Sequence, residues 1–357
     1  MKLDFSNPKE YIGDYTNTYI TYSCDEKVRS GCASGGSVSS LLIFLLEKKY
    51  VDGVFVSRQK VEEGKIVVES FVATTRQEIL DCRTSIYTHF PLEKSFHKIA
   101  EFKGSVAGVF LPCHLKMLDI IGKKQPELIN KIKYKIALFC GGVAEDILME
   151  KVLQRNHIAL SNVDRIYSRK GHWRGQTYIE MKDGTEQVMS YAKNWCTYKN
   201  AFFYSSRKCF NCDDHFGLEA DFCCGDIWLT EMKKEKVKQT AIIAKNNTAN
   251  KILEQMKEDK SIVIQTIPAE KILKGNKRAL VYKFYTAEAR KKYGYLIGAH
   301  YTKPVKVKSR WNHRLAARII VFNMKWAKSK KYEKYIFKLP KKLMYLYMCL
   351  IRALLSF

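Results

Sequence analysis

The fold of this chain is decided by two similar stretches, SVAGVFLPC at residues 105–113 and KYKIALFC at residues 133–140. Each is a short apolar run that ends at a cysteine, and each is followed by a helical pattern, HLKMLDIIG or AEDILMEKVL. Such runs predict buried strands, and strands that alternate with helices indicate an α/β fold with a mainly parallel sheet and flanking helices. Because sites in such sheets lie at the carboxyl ends of the strands, Cys113 and Cys140 are expected close to one site.

The rest of the sequence adds smaller parts to this sheet. Short strand patterns between residues 163 and 192 predict an antiparallel insertion. QTAIIAKNNTANKILEQMKEDKSIVIQTIP at residues 239–268 predicts a strand, an Asn-rich loop, a helix and a strand. Residues 1–20 are expected to form an irregular leader, and residues 281–357 a helical C-terminal tail.

Composition limits the class of protein. The chain has 357 residues, of which 46% are hydrophobic, so it can bury a real core. Its first residues lack the basic and apolar regions of a secretory signal, which predicts a cytoplasmic protein with reduced thiols. Eleven cysteines are an odd number, which also disfavours a complete disulfide framework.

The positive charge of the chain is concentrated near its end. The formal net charge is +26, and residues 302–342 contain 14 Lys or Arg against one acid, Glu333, which gives +13. This balance predicts a polyanionic partner, either an anionic membrane surface or nucleic acid.

Two interpretations of this tail stay open. The residues Trp311, Leu315, Ile319, Phe322 and Trp326 have helical spacing, with basic residues between them. The last 15 residues are mostly apolar but too few to span a bilayer, which needs roughly 20. The tail therefore either lies on an anionic membrane surface through residues 302–357 or packs on the protein's own core with a solvated basic face.

A C-x-x-C pair at Cys209 and Cys212 is the best metal-ligand signal. Its two sulfurs can reach neighbouring metal ions from one tight turn, and thiolates suit both zinc and iron–sulfur clusters. A zinc ribbon would have a second C-x-x-C pair, whereas the nearby Cys223 and Cys224 are adjacent. In a strand these two would point to opposite faces, so at most one could face a cluster.

The two strand-end cysteines complete a set of four ligands. Cys113 and Cys140 follow strands that converge in a parallel sheet, so they are the most economical partners for the C-x-x-C pair. Cys196 is a reserve ligand, and a replacement by Cys223 or Cys224 stays open.

A second candidate site is the small-residue loop RSGCASGGSVSSLL at residues 29–42. It opens a predicted helix of about a dozen residues, whose free backbone N–H groups and dipole can bind a phosphate. The loop matches neither of the two common phosphate-binding glycine motifs, so a plain tight turn is the alternative.

Four stretches of the chain resemble the coenzyme F420 hydrogenase/dehydrogenase beta-subunit family. They are RSGCASGGSVSSLL (29–42), FLPCHLKML (110–118), LFCGGV (138–143) and CFNCDDHFGLEADFCCGDIW (209–228). They are similar, in order and separation, to the family's serine/glycine loop, G-T-P-C-Q, F-C-H-G-V and C-x-x-C…S-D-I-x-x-G-D-x-W. The resemblance covers about residues 20–275.

The resemblance implies an iron–sulfur flavoprotein oxidoreductase with FAD or FMN and one [4Fe–4S] cluster. The positions that match the flavin-side motifs are Arg29, Ser34, Gly35, Gly36, Thr84 and Ser85, with Arg83 and Tyr87 on the same second loop. The positions that match the cluster motifs are Cys113, Cys140, Cys209 and Cys212. Asp226 matches the G-D pair and would support the site through hydrogen bonds.

The resemblance also implies an organisation and a set of partners. Residues 1–104 would carry the flavin loop, residues 105–280 the cluster ligands and residues 281–357 the basic amphipathic tail. Electrons would come from a redox donor protein such as a ferredoxin, or from a soluble hydride donor, a deazaflavin coenzyme F420 or a nicotinamide. No ferredoxin-like cysteine block precedes the flavin loop, as in short relatives associated with polysaccharide biosynthesis. Such a protein would be cytoplasmic and peripheral on the inner face of the membrane.

This chain departs from the family pattern at two ligands, since G-T-P-C-Q is F-L-P-C-H and F-C-H-G is F-C-G-G. No triad or paired carboxylates suggest a catalytic residue, and His114 is expected to be a surface or capping histidine. One alternative function is a zinc-stabilised basic nucleic-acid-binding protein, although a nucleic-acid partner is disfavoured because the charge lies outside the cysteine region. Another is a relative that has lost its cofactors and serves as a scaffold.

Overall fold

The computed structural model describes residues 4–172, 174–305 and 307–356. Its strands are β1 Asn17–Ser23, β2 Gly53–Glu62, β3 Lys65–Ala73, β4 Val106–Phe110, β5 Ile132–Leu138, β6 Val163–Lys170, β7 Gln176–Met181, β8 Glu186–Met189, β9 Phe222–Asp226, β10 Thr240–Ala244 and β11 Ile262–Thr266. Its first helices are α1 Lys9–Ile12, α2 Glu26–Ser30, α3 Ser37–Glu47, α4 Arg76–Asp81, α5 His97–Glu101, α6 Pro112–Gly122, α7 Pro126–Lys131, α8 Ile147–Arg155, α9 Trp195–Asn200 and α10 Arg207–Phe210. The later helices are α11 Asn247–Glu258, α12 Ala269–Gly275, α13 Lys277–Leu280, α14 Ala287–Tyr293, α15 Trp311–Lys328, α16 Glu333–Ile336 and α17 Lys341–Leu354.

An eight-stranded mixed sheet organises the chain, in the order β11-β1-β10-β9-β5-β4-β2-β3. The four strands β2, β4, β5 and β9 pair in parallel at its centre. Antiparallel pairs extend the sheet on both sides, through β3 at one edge and through β10, β1 and β11 at the other. The predicted α/β class is confirmed, and the parallel pairs lie in the middle of the sheet, where the sequence places the two cysteine-ended strands.

The predicted antiparallel insertion and helical tail are also confirmed. Strands β6, β7 and β8 form a separate three-stranded antiparallel sheet. The residues after 276 are mostly helical, with one turn of π-helix at Val281–Tyr285 between α13 and α14. Within the described ranges, no helix has the length and apolar character that crossing a membrane requires.

The expectation that residues 1–20 are irregular was wrong for residues 9–12 and 17–20, which lie in α1 and β1, while residues 1–3 lie outside the described residues. Strand β1 begins at Asn17 and lies between β10 and β11, pairing antiparallel with both. Its sequence NTYITYS is rich in Thr and Tyr, which pack well on a pleated surface, so the local signal was present. Partners more than 200 residues away decide that this segment joins the main sheet.

Two apolar clusters cover the two faces of the main sheet. The side chains of β9 divide between them, since Cys223 belongs to one cluster and Cys224 to the other. Both thiols are fully buried, and Cys223 Sγ also donates to Gly217 O at 3.3 Å. The adjacent cysteines therefore point to opposite faces, as the two-residue period of a strand predicts.

The strand-to-helix transitions differ slightly from the sequence prediction. Cys113 lies in the first turn of α6, because Pro112, which suits the first position of a helix, begins that helix directly after β4. Strand β5 ends two residues before Cys140, and α8 begins only at Ile147. The intervening residue Ala144 instead forms isolated bridges with Thr88 and Ser205.

Candidate cofactor site

The four cysteines predicted as ligands are brought together at the carboxyl ends of the central strands. Cys113 follows β4, Cys140 follows β5, and Cys209 and Cys212 lie on and just after α10. The thiol of Cys113 interacts electrostatically with each of the other three. One side of the group is open, since Cys113 is exposed whereas the other three are partly buried.

Desolvation and repulsion between neighbouring sulfurs make the thiols of Cys113 and Cys209 hard to ionise. The surrounding protein, and then the neighbouring thiolates, raise the pKa of Cys113 to about 12. The same causes raise the pKa of Cys209 to about 11. Cys212 behaves differently, because Lys283 and a hydrogen bond outweigh its burial and lower its pKa. A second positive centre would therefore be needed to hold all four as thiolates, and a metal cluster supplies one.

Lys283 is a buried cation that faces this cysteine group. It is 1% exposed, lies in the π-helical turn and forms a hydrogen bond with Cys212. Burial alone would lower the pKa of Lys283, but the thiolates of Cys212, Cys140 and Cys209 outweigh it and raise that pKa. Since a buried ammonium group needs an anionic partner, this lysine indicates negative charge at the four sulfurs.

Arg290 holds the backbone of the C-x-x-C turn in place. Its fully buried guanidinium donates to Phe210 O and, at 3.2 Å, to Cys212 O. A further N–H donates to Lys283 O at 2.7 Å, so one side chain fixes both the turn and the lysine. Charged donors to buried carbonyls are among the stronger hydrogen bonds, which makes Arg290 a rigid support for Cys212.

The loop after β5 closes on Cys209 from the other side. The backbone N–H of Val143 donates to Cys209 Sγ at 3.3 Å. Gly142 has a φ of 112°, and a Cβ atom there would lie 3.8 Å from the same sulfur. Glycine is therefore required by the backbone conformation and places the loop against the thiol. An N–H donor to sulfur also stabilises its negative charge.

The four cysteines are thiol donors, which suit zinc and iron–sulfur clusters. In the described part of the chain, no three His, Cys, Asp or Glu side chains lie close enough to hold one metal ion. A four-iron cluster is larger than one ion, so its thiolate ligands stand farther apart. Four sulfur donors with a buried cation beside them are the ligand chemistry of such a cluster, whose charge is negative.

The remaining candidates of this region have structural contacts. Cys196 Sγ accepts a hydrogen bond from Asn200 Nδ2 at 2.9 Å, and Tyr191 lies against it. His114 accepts from the Leu111 backbone N–H through Nδ1 at 3.2 Å, which makes it a capping residue at the start of α6. Burial lowers the pKa of His114 to about 4, so it is neutral at pH 7.

The serine/glycine loop forms the N-terminus of α3. Gly36 precedes the helix with a φ of 81° and no side chain caps the first turn, so its backbone N–H groups face outward from the helix. A Cβ atom at Gly35 would lie 2.8 Å from both Lys238 O and Thr21 O. Ser34 Oγ donates to Gln239 O at 2.9 Å, and Arg29 donates to Ser23 O at 2.6 Å. These two side chains hold the loop in place, and Gly35 lets it approach the neighbouring strands.

Arg169 on β6 is a residue of this site that the sequence prediction missed. It is 2% exposed, and its Nη2 donates to Asp226 Oδ2 at 2.5 Å. Its Nε and Nη1 are buried and have no hydrogen-bond partner in the structure. Buried guanidinium donors of this kind are costly without an acceptor, so they indicate a place for an anionic or carbonyl oxygen.

The second predicted loop and one lysine join the same site. Thr84, with a φ of 104°, places its hydroxyl 3.4 Å from the backbone N–H and carbonyl of Arg169, and the half-buried Ser85 follows it. Lys238 Nζ donates to Ala33 O and, at 2.9 Å, to Gly171 O. Burial and the charge of Arg169 lower the pKa of Lys238 to about 8. The glycine loop therefore lies beside the buried Arg169 and the half-buried Lys238.

A chain of hydrogen bonds connects the two groups of residues. Asn276 Nδ2 donates to Asp226 O at 3.2 Å, and its Oδ1 lies 3.2 Å from His215 Nε2. His215 Nδ1 lies 3.0 Å from Cys140 O. The path from Arg169 to Cys140 therefore runs through Asp226, Asn276 and His215, which makes the cationic loop and the cysteine group one continuous site.

Comparison with known families identifies the family of this chain. The sequence profile described as "Coenzyme F420 hydrogenase/dehydrogenase, beta subunit N-term" matches residues 18–97, and the corresponding C-terminus profile matches residues 104–270. The two matches together cover more than half of the chain. The chain belongs to this beta-subunit family. The resemblance of its four motifs to the family is thereby confirmed.

Individual members of the family are distant from this chain. The coenzyme F420 hydrogenase subunit beta of Methanosarcina barkeri is 22% identical over 298 residues, 80% of this chain and 95% of that protein. An uncharacterized protein of Methanocaldococcus jannaschii is 27% identical over 244 residues, 66% of this chain and 85% of the relative. A chain of the F420-reducing [NiFe] hydrogenase complex from Methanosarcina barkeri has the same fold, with a TM-score of 0.61 and 18% identity, over 80% of this chain and 95% of that one.

Lys283 and Arg290 lie beyond the residues that match the family profiles, and Asn276 does as well. These three side chains come from the helical segment that follows β11. Lys283 and Arg290 contact Cys212, whereas Asn276 contacts His215, which lies against Cys140. The C-terminal segment of this chain thus supplies part of the site.

Proposed function

We propose that this protein is an iron–sulfur flavoprotein oxidoreductase. It moves electrons between a reduced donor, a flavin and a [4Fe–4S] cluster held by Cys113, Cys140, Cys209 and Cys212. The membership of the chain in a hydrogenase/dehydrogenase subunit family supports a redox role. The donor is a deazaflavin coenzyme F420, a ferredoxin or a nicotinamide.

One observation carries this proposal: a fully buried lysine whose strongest electrostatic partners are cysteine sulfurs. The largest favourable contributions to the raised pKa of Lys283 come from Cys212, Cys140 and Cys209. A cofactor-free scaffold would gain nothing from a buried cation among neutral thiols, because the desolvation cost of the ammonium would remain. An anionic cluster at these sulfurs compensates that cost.

The residues of the glycine loop support binding of a flavin. When bound, a flavin exchanges electrons in pairs with a hydride donor and singly with a cluster. The N-terminus of α3 and Lys238 provide positive charge for its phosphate, with Gly35 and Gly36 allowing close approach. Arg169 directs two free donors at the ring or phosphate oxygens, and Asp226 fixes the orientation of that guanidinium. The exposed Cys113 is the side from which an electron-transfer partner would reach the cluster.

Visible spectroscopy and metal analysis of anaerobically purified protein test this proposal. We expect a flavin absorption band near roughly 450 nm, a property of the cofactor class, with a broad sulfur-to-iron shoulder and about four iron atoms per chain. Chromatography of the released flavin distinguishes FAD from FMN, and each candidate donor is then tested for bleaching of the flavin band. Colourless protein that contains stoichiometric zinc would contradict the proposal.

The cellular setting is a further part of the proposal. The protein is placed in the cytoplasm, peripheral to the inner face of the membrane, as an electron-transfer step in polysaccharide biosynthesis. This rests on the resemblance of the chain to family members associated with polysaccharide synthesis and on its basic tail. Deletion of the gene should change the surface polysaccharide, and an unchanged polysaccharide composition would refute that assignment.

A further inference from the structure

Three residues of the predicted apolar stripe of α15 face away from the protein, whereas Ile319 and Trp326 are half-buried and pack against the core. Trp311 is 70% exposed and Phe322 is 57% exposed, with Leu315 exposed between them. The helix packs on the core through its opposite side, where Ala316 and Ile320 are fully buried. Large apolar side chains on the outer face of a helix are unusual when they form a continuous row, and such patches mark interaction surfaces.

Helix α17 presents a second apolar row outward. Leu343, Leu346 and Leu350 follow helical spacing, and Leu346 is 64% exposed. The same helix buries Met344 and Met348 against the core, so it is apolar on both sides. Packing on the protein explains one side only, and the leucine row has no internal role.

The charge of this surface is positive and is not compensated within the chain. Between residues 302 and 342 the one acid is Glu333, whose carboxylate accepts from Tyr204 Oη at 2.7 Å and pairs with Lys151 at 3.5 Å, both of the core. Among the described basic residues of this stretch, Lys303 alone forms an ion pair, with Asp213. The exposed leucine and tryptophan rows are therefore surrounded by unpaired lysines and arginines.

The tail is attached to the protein body by specific hydrogen bonds. Asn323 Nδ2 on α15 donates to Ala201 O at 2.7 Å, and Tyr347 Oη on α17 donates to Asn323 Oδ1 at 2.7 Å. Arg155 Nη2 donates to Leu339 O at 2.6 Å. The outward rows of α15 and α17 are therefore held in a fixed position on the protein. One of these hydrogen bonds is made to Ala201, in the segment between α9 and the C-x-x-C turn.

We propose that the outer faces of α15 and α17 bind an anionic membrane surface, with the leucine and tryptophan rows inserted among the lipids and the basic residues against their headgroups. An interfacial helix has this combination of an apolar row and flanking Lys and Arg, and basic residues near an anionic surface are attracted to it. A second copy of the chain is a poorer occupant, since it would bring two surfaces of about +13 together. This inference deepens the peripheral membrane location given under the proposed function, on which it rests, and does not depend on the cofactors.

Co-sedimentation of the full chain with lipid vesicles tests the inference. We expect binding to vesicles of equal parts phosphatidylcholine and phosphatidylglycerol, weakened by salt, and little binding to phosphatidylcholine alone. Replacing Leu343, Leu346 and Leu350 together by serine should weaken this binding at least about tenfold, because the apolar insertion is lost. The matched control replaces three exposed apolar residues elsewhere, Ile120, Val188 and Val263, by serine and should bind as the native chain does.

Three results would overturn the inference. The first is equal binding to both kinds of vesicle, and the second is equal loss of binding in the two triple variants. The third is a native chain that does not bind vesicles, whether it is a dimer as measured by light scattering, is retained on single-stranded nucleic acid, or does neither. Flavin and iron content, measured in the same samples, report on the redox proposal separately.

Discussion

The cysteine group and the glycine loop are neighbouring parts of one site with opposite electrostatic character. The cysteine group gathers four ionisable sulfurs around one buried cation, Lys283. Near the glycine loop lie a helix N-terminus, the buried Arg169 and the half-buried Lys238, together with one carboxylate, Asp226. The cysteine group therefore suits a cofactor that contains positive metal ions, and the surroundings of the glycine loop suit a cofactor that carries phosphate.

Because of this difference, a substitution in the cysteine group or in the glycine loop, the two halves of the site, should impair cofactor binding in that half alone. The two halves touch through the hydrogen bonds of Asn276 and His215, but their binding groups are separate side chains. A variant of one half should therefore lose one cofactor and keep the other. Measuring iron and flavin in the same variant tests whether the two halves bind their cofactors independently.

The largest effect is expected from Cys209→Ala. It removes a proposed ligand that is held by the Val143 N–H and by Gly142, so the protein should lose most of its iron while flavin absorption remains. Iron analysis and visible spectroscopy measure both quantities. Cys349→Ala is the control and should keep its iron, since that half-buried cysteine lies on α17 in the C-terminal tail. Equal iron in the two variants would refute the ligand assignment.

Arg169→Met should damage the other half. The variant loses two buried charged donors and leaves Asp226 without its partner, so flavin should bind roughly tenfold to a hundredfold more weakly. Fluorescence titration of the flavin-depleted protein measures this change, and iron should stay at the native level. Arg165→Met, on the same strand, removes a guanidinium that donates to Asp81 O and serves as the matched control. A simultaneous loss of iron and flavin would show that the halves are not separable.

Lys283→Met tests the electrostatics of the cysteine group alone. Removal of one positive charge beside the sulfurs should favour the oxidised cluster and lower its reduction potential by on the order of 100 mV. A redox titration followed by electron paramagnetic resonance gives the potential. Lys283→Arg keeps the positive charge, so its reduction potential should stay close to the native value. An unchanged potential in the methionine variant, with full iron content, would rule out Lys283 as the counter-charge.

The smallest effect is a pH dependence of flavin binding. The pKa of Lys238 is about 8, lowered by burial and by Arg169 and partly restored by Asp226 and Cys32. Above that pH the lysine loses its positive charge, so affinity for a phosphate-bearing flavin should fall between about pH 7 and about pH 9. Titrations at the two pH values measure the change, and Lys238→Gln should bind weakly at both. A native chain with pH-independent affinity would place the phosphate away from Lys238.

Much of this site could be predicted because its main elements repeat a local pattern. The strand–cysteine–helix pattern at Cys113 and Cys140 gave the central strands and their adjacent ends. The convergence of both with Cys209 and Cys212 followed from the rule that strand ends meet in a parallel sheet. The flavin-side and cluster assignments stay predictions until the cofactors are measured.

The supporting residues could not be predicted, because their roles come from distant contacts. Arg169 lies in a strand of the small sheet, and its contact with Asp226 joins residues 57 positions apart. Lys283 was visible only as a single lysine in the apolar run ALVYKFY, which does not say what it faces. The outward direction of the α15 row was also undetermined, since periodicity shows that one face is apolar but not which face is covered.

The position of β1 has a consequence for how the chain folds during synthesis. This strand emerges near residue 17, yet its two neighbours in the sheet, β10 and β11, end at residues 244 and 266. Its hydrogen-bonding edges therefore stay unpaired until about 250 more residues have left the ribosome, a long exposure for a Thr- and Tyr-rich segment. Closure of the sheet is thus a late event that joins both ends of the family region, and a fragment that begins after Ser23 would leave β10 and β11 without the strand between them.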